Sequence, residues 1–480
     1  MSTTATTPPR LTALSHGAGC ACKLSLDELQ GILAGVAWPV HDDLLVGLAS
    51  GDDAAVWRQG DGRVMVATTD FFTPLVDDPR DWGRIAATNA VSDVYAMGAT
   101  PRLALNLVGW PRDLDFDLLR QVLEGAVEVA ADAGYVIAGG HSIDSVEPLF
   151  GQVVIGDATE AELLTNAGAL PGQAIVLTKP IGTGVVTTAL KRSAPLPAKA
   201  ADGDATSAAD VADAGHATDV ADAGHATAAA DVADAAAAED RAQAAGAGDA
   251  PAAAPDTDRR LPVAYRAAVG EMTRLNRDAA RVAREHRATA ATDVTGFGLL
   301  GHLHRLAGAS GVAAQLDAAR VPLLPHVGGL LDAGFVPGGS QRNAEQAARY
   351  LDGALPSDRT RLLLADAQTS GGLLFTVDPD QAEGAVAALL DLGHSAAWVG
   401  TTSAGEPGSV RVDGEVSDGW VSDGEVTDSG VGDSEVTDGG VSDGGVGEIE
   451  RPAMAGGGDA VDRSAMAEGG GAADDAVVGQ

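Results

Sequence analysis

The chain of 480 residues carries 31 Lys and Arg against 68 Asp and Glu, a formal net charge of −37. That length predicts two or three domains at roughly 150 residues each. The acidity argues against a nucleic-acid binder, which needs basic stripes to neutralise phosphates, and against electrostatic docking on anionic membranes. Only two cysteines are present, which excludes a disulfide framework and fits a reducing cytosol. Residues 1–10 hold no apolar h-region and no apolar run approaches about 18 residues, so the expectation is a cytoplasmic protein with no signal peptide and no membrane span.

In chain order, helical periodicity predicts helices over Leu26–Ala37, Pro79–Met97, Leu114–Ala133, Val263–Glu285, Leu299–Ala307 and Gln381–Leu392, with a further one starting near Gly182. Short apolar runs predict strands over Arg63–Thr68, Leu103–Gly109, Tyr135–Ala138, Leu149–Ile155, Ala174–Leu177, Leu373–Val377 and Ala396–Val399. Such alternation points to α/β and α+β architecture, with a boundary near Leu170–Gly172. Two stretches depart from it. Residues 201–258 hold 13 acids and one base, with DVADAGHAT repeated at 210–218 and 219–227. Residues 413–480 hold 17 acids and two bases, with a valine every fifth position from Val416 to Val446. Neither pattern can bury a face, so both are expected to be disordered. Together they carry −27 of the −37, which leaves the core with an ordinary charge.

Three clusters bear chemistry. In Ser15–Lys23 (SHGAGCACK), Lys23 follows Cys20 by three residues, and a nearby ammonium favours the reactive thiolate. A metal site from His16, Cys20 and Cys22, or an incidental Cys-x-Cys, fits the same letters. Asp52, Asp53, Asp70, Asp93 and Asp293 stand at the ends of apolar runs, and Asn89 and Asp93 share a helix face. Converging carboxylates would suit Mg²⁺ bridging a polyphosphate; singly, each is as readily a cap or turn residue. Gly139–Ser142 follows an apolar run and offers backbone N–H groups to a phosphate. Gly296–Gly301 is a literal G-x-G-x-x-G, with Asp317 21 residues on. That is the form of a dinucleotide fingerprint, but the preceding ATAATDV is short and polar for a buried parallel strand.

SHGAGCACK, GDDAAV (51–56), the run from Thr68 to Pro101, AGGHSID (138–144), TKPIGTGV (178–185), TDVTGFGLLGHL (292–303), PGGSQRN (337–343) and QTSGGLL (368–374) together resemble the selenophosphate synthetase (selenide, water dikinase) family, in the family's order. The resemblance implies a two-domain aminoimidazole-ribonucleotide-synthetase-like fold, with a catalytic arm (1–25), an ATP-binding and dimerisation domain (26–170), a C-terminal domain (171–412, carrying the acidic insert 195–258) and an acidic tail (413–480). The implied reaction turns selenide, ATP and water into selenophosphate, AMP and phosphate. By motif position Cys20, which is selenocysteine in some members, and Lys23 would be catalytic. Lys23, Ser50, Gly51, Asp52, Asp70, Asp93, Gly140, His141 and Ser142 would contact ATP, and Asp53, Asp93 and Asp293 would bind Mg²⁺. A homodimer is implied, and a selenium-delivery protein is a candidate partner. Ser50–Gly51 stands where members often carry a basic residue, and Ala367 stands where they carry proline. The alternatives are a related ATP-dependent enzyme of the same superfold, acting on a ribonucleotide or thiamine phosphate, and an NAD-binding oxidoreductase.

Overall fold

Two six-stranded sheets organise the residues described by the structure, a computed structural model in which 9–15, 31–33, 35–47, 51–193 and 257–417 are described. The first sheet runs in the order β1 (Leu44–Val46), β2 (Ala55–Gly60), β3 (Arg63–Phe72), β6 (Leu149–Thr159), β4 (Thr100–Trp110), β5 (Val136–Asp144). Its pairings are antiparallel except that of β4 with β5. Alternation along the strands puts Val64, Val66, Ala104, Phe150 and Val154 into one apolar layer. Against that layer lies α1 (Pro79–Ala96), which in turn packs on α2 (Phe116–Ala133).

Local chemistry sets the helix ends. The Asp78 carboxylate accepts the Asp81 N–H at 2.9 Å and Pro79 occupies the first turn, so α1 begins there. Asp115 accepts the Asp117 N–H at 2.9 Å and starts α2, which Gly134 ends at φ 78°. The two helices touch at their backbones. A Cβ on Gly83 would overlap the Val122 carbonyl, and one on Gly125 would overlap the Arg80 carbonyl. Gly83→Ala is therefore expected to destabilise the protein by about 3 kcal/mol. A urea titration checks this as a lower midpoint at unchanged slope.

The second sheet runs β12 (Val410–Asp413), β9 (Ala313–Asp317), β11 (Ala397–Ser403), β7 (Ala174–Leu177), β10 (Leu373–Val377), β8 (Ala290–Asp293). Strands β7, β8 and β10 are buried at every position. Around this sheet lie α3 (Thr183–Arg192), α4 (Thr257–Met272), α5 (Arg277–Glu285), α6 (Gly298–Ala309), α7 (Val327–Asp332), α8 (Gly338–Ala347), α9 (Asp358–Leu364) and α10 (Pro379–Asp391). Among the described residues, no helix is long and apolar enough to cross a membrane.

Three expectations change. The helix expected over Val263–Glu285 is two helices, α4 and α5, with a break at 273–276 from which Asn276 turns its amide to Ser92 and Gly371. Gly139–Ser142 does not follow a strand but lies inside β5, where Gly140 passes so close to Asn106 that a Cβ would overlap its carbonyl. Ala290–Asp293 is a buried strand, although an antiparallel one at the sheet edge. The expected helix Leu26–Ala37 is described only in part, with helical turns at 31–33 and a turn at Gly35. The acidic stretches at 201–256 and 418–480 lie outside the described residues, whereas Val416 is still buried.

Candidate functional site

The edge strand β8 abuts α1, and there the two halves of the chain bring carboxylates together. The turn before β2 supplies Asp52 and Asp53, β3 supplies Asp70, α1 supplies Asp93, and β8 supplies Asp293. Asp70 and Asp293 are buried, while the other three keep part of their surface open. Each carboxylate leans on a neutral donor. Asn89 Nδ2 donates to Asp70 at 2.7 Å and Ser92 Oγ to Asp293 at 2.6 Å. Thr292 Oγ1 donates to Asp53 at 2.9 Å, Thr68 Oγ1 to Asp93, and the Asn166 N–H to Asp52 at 2.8 Å.

The electrostatics are those of a site built to receive positive charge. Burial holds Asp53 and Asp93 well above the usual carboxylate range, and the neighbouring Asp293 pushes both further. Asp52 is pushed up to about 6, chiefly by burial, against the pull of the Asn166 N–H and Arg305. Arg305, from α6, places its guanidinium on the Gly51 carbonyl and over the Phe297 ring, 5.4 Å from the centroid. One buried oxygen, Asp53 Oδ2, has no hydrogen-bond partner among the described residues, an unmet acceptor of the kind that a bound cation satisfies. Among the described residues no three carboxylate, His or Cys side chains already converge on one point.

The structure thus gathers Gly51, Asp52, Asp53, Asp70, Asp93 and Asp293 in one recess. It does not bring Gly140, His141 and Ser142 there. Across the sheet Asp70 pairs with Gln152, Gln152 with Asn106, and Asn106 with Gly140, so these three residues sit three strand spacings away, about 14 Å. Cys20, Lys23 and Ser50, with His16 and Cys22, lie outside the described residues.

Sequence reasoning missed Thr68, Ser92, Asn166, Asn276, Thr292 and Arg305. Ser92 was within reach of it, three residues after Asn89 on the same helix face, and Thr292 adjoins Asp293. Asn276 and Arg305 carry no local signal. Gly296–Gly301 opens α6, but the strand before it is antiparallel to its neighbour, and Asp317 caps a turn by accepting the Ala319 N–H at 3.1 Å. Neither feature is that of a parallel dinucleotide-binding unit.

Residues 51–158 match the family model "AIR synthase related protein, N-terminal domain", and residues 253–413 match the corresponding C-terminal domain. The chain is 39% identical over 404 residues to the selenide, water dikinase of Pseudomonas straminea, covering 83% of this chain and 95% of that one. It is 40% identical over 407 residues to the selenide, water dikinase of Rhizobium meliloti (strain 1021), covering 83% and 97%. A thiamine-monophosphate kinase structure from Stenotrophomonas maltophilia K279a overlays with a TM-score of 0.46 at 20% identity, covering 81% of this chain and 96% of that one. With two AIR-synthase-type domains and near-full-length relatives at about 40% identity, the chain belongs to the selenide, water dikinase family.

Proposed function

We propose that this enzyme makes selenophosphate from selenide, ATP and water, releasing AMP and phosphate. The observation that carries the reading is near-full-length identity of about 40% to selenide, water dikinases. The carboxylate recess gives that reaction a physical setting.

ATP and selenide concentrate negative charge, which a recess of aspartates repels unless cations stand between them. Asp53, Asp93 and Asp293 are the proposed Mg²⁺ ligands. All are hard oxygen donors, mutual repulsion favours a cation among them, and Asp53 Oδ2 lacks a partner among the described residues. Mg²⁺ takes one or two carboxylates and completes its shell with phosphate oxygens and water. That habit accounts for carboxylates resting on hydroxyls without a preassembled cage. Bound there, the metal would neutralise phosphate oxygens as charge develops on them. Asp52, Asp70 and Gly51 are proposed to position the nucleotide, with Ser50 beside them. Cys20 is proposed to handle selenium, and Lys23 to hold its thiolate and touch phosphate.

A homodimer belongs to the same proposal. Strand β5 is an edge that is exposed along nearly its whole length, and Phe71, Leu105 and Ile143 leave apolar surface on this sheet open. Since Gly140, His141 and Ser142 lie on that edge, their contact with ATP is proposed to be made to a nucleotide held by a second copy. The proposed layout keeps 1–25 as arm, 26–170 and 171–412 as the two domains, and 195–258 and 413–480 as acidic passengers. A cytoplasmic setting and a selenium-delivery partner complete the reading.

The test is anaerobic incubation of the full chain with ATP, magnesium and selenide, followed by phosphorus NMR. Selenophosphate, AMP and phosphate are expected. ATP consumed to ADP alone would move the enzyme to a kinase of the same fold.

A further inference from the structure

The stretch 368–372 (QTSGG) lies in the connection from α9 to β10. Ser370 is buried and holds φ 51°, the left-handed region that a residue with a Cβ occupies at a cost of about 1 kcal/mol or more. Its surroundings allow little adjustment. A Cβ on Gly371 would overlap the Val294 carbonyl, and one on Gly372 would come within 2.5 Å of the Lys179 nitrogen of the backbone.

Lys179 grips this turn. It is 1% exposed, and its Nζ donates to the Ser370 carbonyl at 3.0 Å and the Arg274 carbonyl at 2.7 Å. With the turn so held, the Ser370 N–H donates to Asn89 Oδ1 at 2.7 Å. That bond decides which end of the Asn89 amide faces Asp70, and Nδ2 donates there at 2.7 Å. On the other side the Gly371 carbonyl accepts from Asn276 Nδ2 at 2.9 Å. The same nitrogen donates to Ser92 Oγ at 2.9 Å, and Ser92 donates to Asp293. One buried ammonium therefore stands behind two hydrogen-bond chains, each ending on a carboxylate of the recess.

We propose that Lys179 is a positioning residue for the nucleotide site, acting through the Ser370–Gly371 turn to orient Asn89 toward Asp70 and Ser92 toward Asp293. The inference rests on assigning Asp70 and Asp293 to the ATP–magnesium site. Burial draws Lys179 down to about 7, with Arg274 adding to the fall and Glu271 and Asp293 opposing it. Methionine would fill the same space with no polar group to desolvate, so packing alone gives no reason for a lysine here.

The test uses the full chain, titrated with the nonhydrolysable nucleotide AMPPCP in the presence of magnesium. Lys179→Met is expected to weaken binding about 10- to 100-fold, the usual effect of removing a support behind a ligand-binding group. A purely structural lysine would add its effect to any other. Here, Lys179→Met introduced into the double variant Asn89→Ala, Ser92→Ala is expected to add less than about twofold, because both chains that it supports are then already broken. Wild-type binding by folded Lys179→Met, or full multiplication of the two losses, would overturn the proposal. Where Lys179→Met does not fold, Asn89→Asp takes its place, since it still accepts from Ser370 but sets a carboxylate against Asp70. Binding within about twofold of wild type in that variant would equally overturn the proposal. Undiminished binding by Asp70→Ala would instead remove the site assignment beneath it.

Discussion

Asparagine in place of Asp293 is expected to abolish selenophosphate formation and, at the same time, to raise the unfolding temperature of the metal-free protein. The two effects have one cause. Asp293 is 1% exposed and its charge is the first carboxylate acting on both Asp53 and Asp93, which burial already disfavours as anions. Asparagine keeps the volume and an oxygen to accept from Ser92, whose bond is 2.6 Å, but removes the charge. The metal-free fold then loses a repulsion, and about 1 kcal/mol of relief should appear as roughly 2–4 °C. Catalysis would lose a proposed magnesium ligand at the developing phosphate charge, for which about 4 kcal/mol, or a thousandfold in rate, is the expected scale. Magnesium should raise the unfolding temperature of the wild type by binding linkage, and much less that of the variant. Unchanged turnover, or a metal-free variant that melts below the wild type, would contradict this account.

The recess was partly legible because its main contributors sit in short, punctuated motifs. Asp70 closes an apolar run, Asp52 and Asp53 open one, and Asn89 and Asp93 share a helix face by their spacing. What remained hidden is long-range. Asn276 reaches Ser92 only because a helical pattern breaks where the side chain is needed. Periodicity could not see this, since Ala279, Val282 and Ala283 continue the apolar stripe after the break. Arg305 arrives from α6 at the Gly51 carbonyl, so the basic group that is missing beside the paired aspartates in sequence is supplied in space. Ala367, where a proline was the family expectation, uses its N–H to donate to Ser340 Oγ at 3.0 Å, a bond that proline could not make. The misplacement of Gly139–Ser142 has another origin. Glycines read as a loop signal, yet here Gly140 lets β5 run close against β4.

Serine in place of Cys20 is expected to leave the unfolding temperature and the AMPPCP–magnesium affinity unchanged and to eliminate selenophosphate. The segment leading to Cys20 is anchored before it reaches the thiol. Leu11 is buried, Arg10 Nε donates to Asp77 at 2.8 Å, and its terminal nitrogens donate to the Leu190 and Ser193 carbonyls at 2.8 and 3.0 Å. Lys191 Nζ donates to the Ser15 carbonyl at 2.6 Å, and Ser15 Oγ to the Pro74 carbonyl at 3.3 Å. Pro74 is four residues beyond Asp70, at most about 14 Å along an extended chain. Cys20 lies five residues beyond Ser15, a span of up to about 17 Å, enough to reach the recess from that root. A hydroxyl has the size of the thiol but is not ionised near neutral pH, so the variant would keep the anchors at Arg10, Leu11 and Ser15 and lose only the proposed nucleophile. Lys23→Met should also lose selenophosphate, and raising the pH should recover part of the rate if its ammonium serves chiefly to hold the thiolate. No recovery at high pH would assign Lys23 to phosphate instead. Selenophosphate made at the wild-type rate by Cys20→Ser would remove the arm from the chemistry and leave the aspartate recess to act without it.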